Sequence, residues 1–526
     1  MNNGKILWAD DEIDLLKGHL IFLKNKGYDV TPVSNGMDAL EECGKQSFDL
    51  IMLDEMMPGL TGLETLQKIK EIQPQTPVIM VTKSEEEDLM DQAIGSKIAD
   101  YLIKPVNPHQ ILLALKKNIH RKEIESEVTQ MTYRSDYQKI AMMIDSCDDF
   151  NGWMNVYRTL TRWEVDLSAG DNGMAEMLAM QKEEADLGFA KYVKSHYMEW
   201  MDAISARLRG KHTDVSCPFM SQDVFKGKVF PLIDKGEKVF MIVIDNFRWD
   251  QWIMLSKEIG GYFDIHEDMY MSILPTATQY ARNAIFAGLM PLQIKQMYPD
   301  LWVDEEEDEG KNLNEKALIA HQLERFRRRE QFTYHKLNDS QAVSQLLTQI
   351  KQFAAMPLNV LVINFIDILS HARTESRMVR ELAGSEGAYR GITQSWFKHT
   401  PIRQLFRQLA ELDYDLIITT DHGSIKVDQP SKVVGDRNVN TNLRYKLGRN
   451  LSYNAKDVYE VREPKALLLP QPNLSTAYIF ATGNRFFAYP NNYNHYVQYY
   501  TDTFQHGGIS MEEMLVPLIT LRPKRR

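Results

Sequence analysis

Short apolar runs that stop abruptly on a carboxylate recur along this chain, and they constrain its fold more than any other feature. Ile6–Ala9 stops at Asp10-Asp11, Phe48–Leu53 at Asp54, and Val239–Ile244 at Asp245. Leu358–Ile366 runs into Asp367, and Leu416–Thr420 ends on Asp421-His422-Gly423. Runs this short, rich in Ile and Val, read as buried strands. Buried parallel strands need helical crossovers, so an α/β architecture follows. In such sheets ligands bind beyond the carboxyl ends of the strands, which is where these acidic residues fall. One such ending is a weak signal, since Asp-His-Gly also makes an ordinary turn; the set of them carries more.

From residue 5 to about 120, strand and helix alternate five times, as a doubly wound (βα)5 sheet requires. Asp10, Asp11, Asp54, Thr82 and Lys104 then share one rim. Three carboxylates together call for a hard divalent cation, and oxygen ligands suit Mg²⁺. A lysine and a hydroxyl beside them suit a phosphoryl group. On these motifs residues 4–120 resemble a response-regulator receiver domain. The resemblance implies that Asp54 accepts phosphate from a sensor histidine kinase while Asp10, Asp11 and Asp54 hold Mg²⁺. Thr82 and Lys104 would contact the phosphoryl group, Tyr101 would be the switch aromatic, and Lys104-Pro105 would be a cis peptide.

Residues 121–225 lack this alternation. Apolar residues recur at three and four over Tyr137–Ile144, Phe150–Arg162, Met174–Lys191 and Tyr192–Leu208, so helices of a spacer or dimerisation bundle are expected, with breaks at Ser168-Ala-Gly-Asp-Asn-Gly and Arg209-Gly-Lys-His-Thr. Trp153, Trp163 and Trp200 fall in or beside these patterns and are expected in the core.

From residue 226 to 526 a second α/β domain is expected, carrying the later carboxylates. Pro275-Thr276-Ala-Thr278 precedes a good helix pattern, placing Thr276 or Thr278 near a helix N-terminus, where an anion or alkoxide is favoured. Asp367 and His371, spaced i, i+4, share a helical face and can bind one metal. His506 is followed by two glycines that let the backbone approach a ligand. Nitrogen and oxygen donors in this ratio suit zinc better than magnesium, with manganese also compatible. Two metals could clamp a phosphoryl group, and a metal could activate a threonine hydroxyl.

Taken in order, Asp245-Asn-Phe-Arg, Pro275-Thr-Ala-Thr, Asp367-x-x-x-His371, Asp421-His422-Gly423 and His506-Gly-Gly resemble the alkaline phosphatase superfamily, most closely its PglZ branch. The resemblance implies one zinc on Asp245, Thr278, Asp421 and His422, and a second on Asp367, His371 and His506. Gly288, ten residues past Thr278, favours Thr278 over Thr276 as nucleophile. Where related phosphodiesterases have an asparagine that aids the phosphate, Ala281 and Arg282 stand here, and Arg282 could hold a phosphoryl oxygen. The basic stretch containing Arg437, Arg444, Lys446 and Arg449, interleaved with Tyr445 and Tyr453, suits a single-stranded oligonucleotide, or is a solvated loop.

The receiver, helices and PglZ domain together resemble response regulators of the type IX secretion system. That resemblance implies control of secretion and gliding, homodimerisation on phosphorylation, and phosphodiesterase action on short cyclic or linear oligonucleotides. The other reading is a non-catalytic regulator that binds a sigma factor or secretion component around a structural metal. A net charge of −11 argues against a general DNA-coating role, and no helix-turn-helix pattern stands out. Three scattered cysteines indicate no disulfide framework. No signal peptide or long apolar span occurs, so a cytoplasmic protein without membrane insertion is expected.

Overall fold

The computed structural model describes residues 3–74, 76–83, 98–119, 121–168, 173–305, 307, 310–435 and 440–524. Two compact units, Met1–Thr132 and Tyr133–Arg526, divide the chain.

In the first unit, β1 (Lys5–Ala9), β2 (Asp29–Val33), β3 (Leu50–Asp54), β4 (Val78–Thr82) and β5 (Asp100–Ile103) form a parallel sheet in the order β2-β1-β3-β4-β5. Alternate residues face opposite layers. Ile6, Trp8, Leu50 and Met52 pack into one core, while Leu7, Ala9, Ile51 and Leu53 pack into the other. Both faces are therefore covered, and the inner strands β1, β3 and β4 are nearly continuous apolar runs for that reason. The rim left for polar residues is the end where β1, β3, β4 and β5 stop.

Helices cover Arg121–Asp145, Phe150–Leu167 and Gly173–Leu208. The last is a single 36-residue helix that ends just before Arg209, where a break is expected. Leu178, Ala185, Phe189, Val193, Tyr197 and Trp200 are all buried along one stripe, so the face is continuous. Gly188 does not break it, because it serves packing: a Cβ there would lie 2.8 Å from the Trp153 ring. Trp153 and Trp200 are buried, and Trp163 is partly so.

The second sheet contains β6 (Val239–Ile244), β7 (Phe263–Met271), β8 (Phe332–Leu337), β9 (Leu358–Ile363) and β10 (Asp415–Thr419). Short strands follow: β11 (Ile425–Val427), β12 (Gln429–Lys432), β13 (Tyr445–Gly448), β14 (Val458–Val461), β15 (Ala477–Ala481), β16 (Arg485–Ala488) and β17 (Thr503–Gln505). The last strand, β18 (Leu515–Pro523), enters the large sheet, giving the order β7-β18-β10-β6-β9-β8. β8, β9, β6 and β10 are parallel, while β18 runs antiparallel to both β10 and β7. β6, β9 and β10 therefore end on one edge, placing Asp245, Asp367 and Asp421 together. Antiparallel pairing of β11 with β17 does the rest, bringing the chain after His422 beside the chain before His506. No helix among the described residues is long and apolar enough to cross a membrane.

Candidate active site

On the receiver rim, Lys104 Nζ lies 2.9 Å from Asp10 Oδ2 and 3.0 Å from Asp54 Oδ2. Oxygens of Asp10, Asp11 and Asp54 all fall within 4.8 Å of one another, close enough to share one cation. Burial raises the Asp54 carboxyl to about 6, against the lowering pull of Lys104. Thr82 Oγ1 donates to the Glu55 carboxylate. Tyr101 is 40% exposed on β5. The Lys104-Pro105 peptide is cis.

In the second unit two donor sets face one another. Asp245, Asp421 and His422, all buried, form the first; Asp367, His371 and His506 form the second, each set within 4.8 Å. His422 Nε2 is 3.7 Å from Asp245 Oδ1 and 3.9 Å from Asp421 Oδ2. His371 Nε2 is 3.5 Å from Asp367 Oδ2, one helical turn away in Phe365–Glu375, and His506 Nε2 is 3.9 Å from Asp367 Oδ1. The His422 and His506 rings stack with centroids 4.1 Å apart, so the two sets adjoin. Each imidazole is oriented through its other nitrogen: His422 Nδ1 toward the Gly423 carbonyl at 3.1 Å, His506 Nδ1 toward the Thr276 carbonyl at 3.0 Å. Such bonds leave Nε2 free to bind a metal.

Thr278 is the first residue of the helix Thr278–Ala287, whose opening turn has no side-chain cap. Its hydroxyl lies 3.1 Å from His422 Nε2 and 3.4 Å from Asp245 Oδ1. Thr276 is committed elsewhere. It accepts the Gly507 N–H and donates to the Gly508 carbonyl, each at 3.0 Å.

The electrostatics ask for positive charge. Burial and the Asp245 charge push Asp421 well above the usual carboxylate range and raise Asp367 as well. Burial would also raise Asp245, but Arg282 and His422 outweigh it and hold that carboxyl low. Burial lowers His422 and, with the His422 charge beside it, takes His506 down to about 4. Asp421 Oδ2 is buried with no hydrogen-bond partner, and its nearest cation, Arg282 Nη1, is 3.7 Å away. An orphaned carboxylate oxygen beside imidazoles whose protonation burial disfavours fits a divalent cation.

Three of the cations expected at substrate, Arg282, Arg444 and Lys446, are buried against partners in this chain. Arg282 is 2% exposed, with Nη1 2.6 Å from Asp245 Oδ2 and Nε 2.5 Å from Glu315 Oε1. Two of its three nitrogens thus lie on carboxylates, and the contact with Oδ2 orients Asp245. Arg444 is fully buried and grips Glu513 at 3.1 and 2.6 Å. Lys446 is buried, donates to the Asn440 carbonyl at 2.8 Å and lies over the Tyr489 ring. The spacing of these cations gave no hint of partners distant in sequence. Arg449 is exposed, and Arg437 lies outside the described residues.

Other participants went unread in the sequence. Asn246, at a φ of 60°, turns the chain after β6 and donates to Asp367 Oδ1 at 3.3 Å, bridging the two donor sets. Glu315 anchors Arg282 while accepting from Tyr334 and Lys336. Nothing in its surroundings marks Glu315; Asn246 could have been found, since asparagine tolerates a left-handed strand exit.

The fold and site define a receiver joined to an alkaline-phosphatase-like domain, and comparisons with known proteins agree. Residues 6–116 match the response regulator receiver domain, 123–201 the PorX response regulator linker domain, and 224–521 the BREX system PglZ alkaline phosphatase-like domain. The chain belongs to the PglZ family, as a PorX-like receiver–PglZ fusion. Among curated proteins it is similar to the alkaline phosphatase synthesis transcriptional regulatory protein PhoP of Bacillus subtilis, 33% identical over 24% of this chain and 54% of PhoP. The transcriptional regulatory protein ResD of the same organism is 34% identical over 23% of this chain and 50% of ResD. The chain thus spans about half the length of these curated relatives. Among solved structures, the chemotaxis protein CheY4 of Vibrio cholerae is 28% identical, covering 22% of this chain and 97% of its own, with a TM-score of 0.21. A receiver domain protein from Clostridium thermocellum is 31% identical over 23% and 97%, with a TM-score of 0.22.

Proposed function

We propose that this protein is a response regulator, phosphorylated on Asp54 by a sensor histidine kinase, whose receiver controls a zinc-dependent phosphodiesterase. The working division is a receiver over 1–120 with Mg²⁺ on Asp10, Asp11 and Asp54, a helical linker over 121–225, and an effector over 226–526. The observation that carries the reading is the pair of adjoining three-donor sets around Thr278 at an uncapped helix N-terminus. Asp245, Thr278, Asp421 and His422 would hold one zinc, and Asp367, His371 and His506 the other. Zinc bound there would supply Lewis-acid charge, lowering the pKa of the threonine hydroxyl and stabilising phosphoryl oxygens.

The chain's own groups then have definite tasks. Thr278 Oγ1 attacks phosphorus, the bond from phosphorus to the departing ribose oxygen breaks, and that oxygen takes up a proton. Water next cleaves the phosphothreonine and releases the phosphomonoester. The free N–H groups of the Thr278–Ala287 helix favour the anionic group beside them. Arg282 and Asn246 keep Asp245 and Asp367 in place through the bonds described above. Short cyclic or linear oligonucleotides are the proposed substrates, type IX secretion and gliding the proposed processes, and a phosphorylation-dependent homodimer the proposed state. A sigma factor is a proposed further partner.

The test is a screen of zinc-loaded full-length protein against cyclic and linear oligonucleotides, with and without an acyl-phosphate donor, beside Asp54→Asn. Hydrolysis of at least one oligonucleotide is expected, with a rate that acyl phosphate changes in wild type and not in Asp54→Asn. Absence of hydrolysis from the whole panel would sink the enzymatic reading. Hydrolysis indifferent to the donor would sink the control.

A further inference from the structure

The four-residue turn Met511–Met514 touches the chain beside both donor sets. Its Glu513 Oε1 accepts the Gly508 N–H at 2.8 Å, two residues past His506, while Arg444 clamps the same carboxylate and Ser510 Oγ donates to it at 2.7 Å. The Glu513 carbonyl accepts the Gly423 N–H at 3.2 Å, next to His422. Both donor sets therefore lean on this turn. At Gly423 the fit is close: a Cβ there would sit 2.1 Å from the Glu512 carbonyl oxygen.

From the other side the turn is held by the long linker helix Gly173–Leu208. Asp186 Oδ1 accepts the Met511 N–H at 2.8 Å, with Asp186 and Met511 both buried. One turn earlier, Lys182 Nζ lies 3.1 Å from Glu512 Oε1 and 2.5 Å from Glu164 Oε2 on the preceding linker helix. Glu164 is bound by Arg390 at 2.7 Å, Arg390 reaches Asp250, and Asp250 pairs with Arg248, which donates to the Ser424 carbonyl at 3.3 Å. Buried ion pairs roughly break even in stability, because desolvation offsets their attraction. Their better-attested use is to fix register, and here the register fixed is that of the linker against the turn beside both donor sets.

We infer that Asp186 and Lys182 are positioning residues, through which the linker helix sets the place of His506 and hence the occupancy of the second metal. The inference rests on the reading that His506 ligates that metal. Asp186→Ala would remove the acceptor from a buried N–H, free the turn, and let Gly508 and His506 drift from Asp367 and His371. Asp186→Asn keeps an oxygen in the same place.

The experiment measures zinc per chain by mass spectrometry, together with kcat and KM for a chromogenic phosphodiester, on zinc-loaded full-length protein. For Asp186→Ala, zinc is expected to fall from two toward one per chain. Affinity at the weaker site should drop about tenfold or more and kcat should follow, with KM moving less. Asp186→Asn should hold two zinc ions and keep kcat within about threefold. Should Asp186→Ala fail to fold, Lys182→Gln takes its place with the same expected losses. Two tightly held zinc ions and undiminished kcat in the folded variant would overturn the inference. A wild type that binds no zinc would overturn the metal reading first, and this inference with it.

Discussion

Lys446 shows most plainly how a residue's surroundings remake its chemistry. Burial pulls its ammonium down to about 7, with one carbonyl and one aromatic face for company. In the unfolded chain the same group titrates near 10.5. Between about 7 and 10.5 the unfolded state thus binds the extra proton, so this group makes stability rise with pH across that window. Lys446→Met should remove the rise and stabilise the protein near pH 7, on the order of a kcal/mol or more. Urea unfolding of both proteins at pH 7 and pH 9.5 checks this; a variant whose stability gain is as large at pH 9.5 as at pH 7 contradicts it. What the sequence could not convey is the same for Lys446, Arg444 and Arg282. Each is a cation near the right motif, but whether it faces substrate or a buried partner depends on residues 6 to 69 positions away. The donor residues were legible for a local reason: Asp245, Asp367 and Asp421 each lie within a few residues of a strand end, and strand ends can be read from an apolar run stopping.

At the scale of elements, β1, β3, β4, β6, β9 and β10 could be read because burial on both faces leaves an apolar run, whereas parallel β8, polar and only half-buried, could not. β18 could not be placed in advance, since it enters antiparallel between β10 and β7 from the far end of the chain. Nor could the short β11–β17 pairing, three residues a side, which is what brings His422 to His506. The turn after β10 has its own prediction. Gly423→Ala would drive a Cβ into a backbone carbonyl that has no flexible end to move. The turn carrying Glu512 must give way, so phosphodiester turnover should fall by about 10²-fold or more, since an ångström of misplacement can cost that much. Kinetics on the folded variant measure it, and turnover within about twofold of wild type would show that the turn yields harmlessly.

The chain as a whole carries a receiver domain, a helical middle and an alkaline-phosphatase-like domain. That middle belongs, from Tyr133 onward, to the same compact unit as the effector. Its helices are joined to the effector by partly buried ion pairs as well as apolar packing, including Glu164–Arg390 and Lys182–Glu512. Composition and periodicity showed a helical spacer there and nothing of this lattice, because charged residues on a helix read as its solvated face. The chemistry proposed for the second unit depends on the centre around Thr278. Its most direct test is zinc content with hydrolysis of a chromogenic phosphodiester, wild type beside Thr278→Val. Two zinc ions per chain in wild type are predicted, with hydrolysis that chelation abolishes and that Thr278→Val lowers by at least about 10³-fold. A wild type free of zinc, or a Thr278→Val variant with undiminished zinc-dependent turnover, would contradict it.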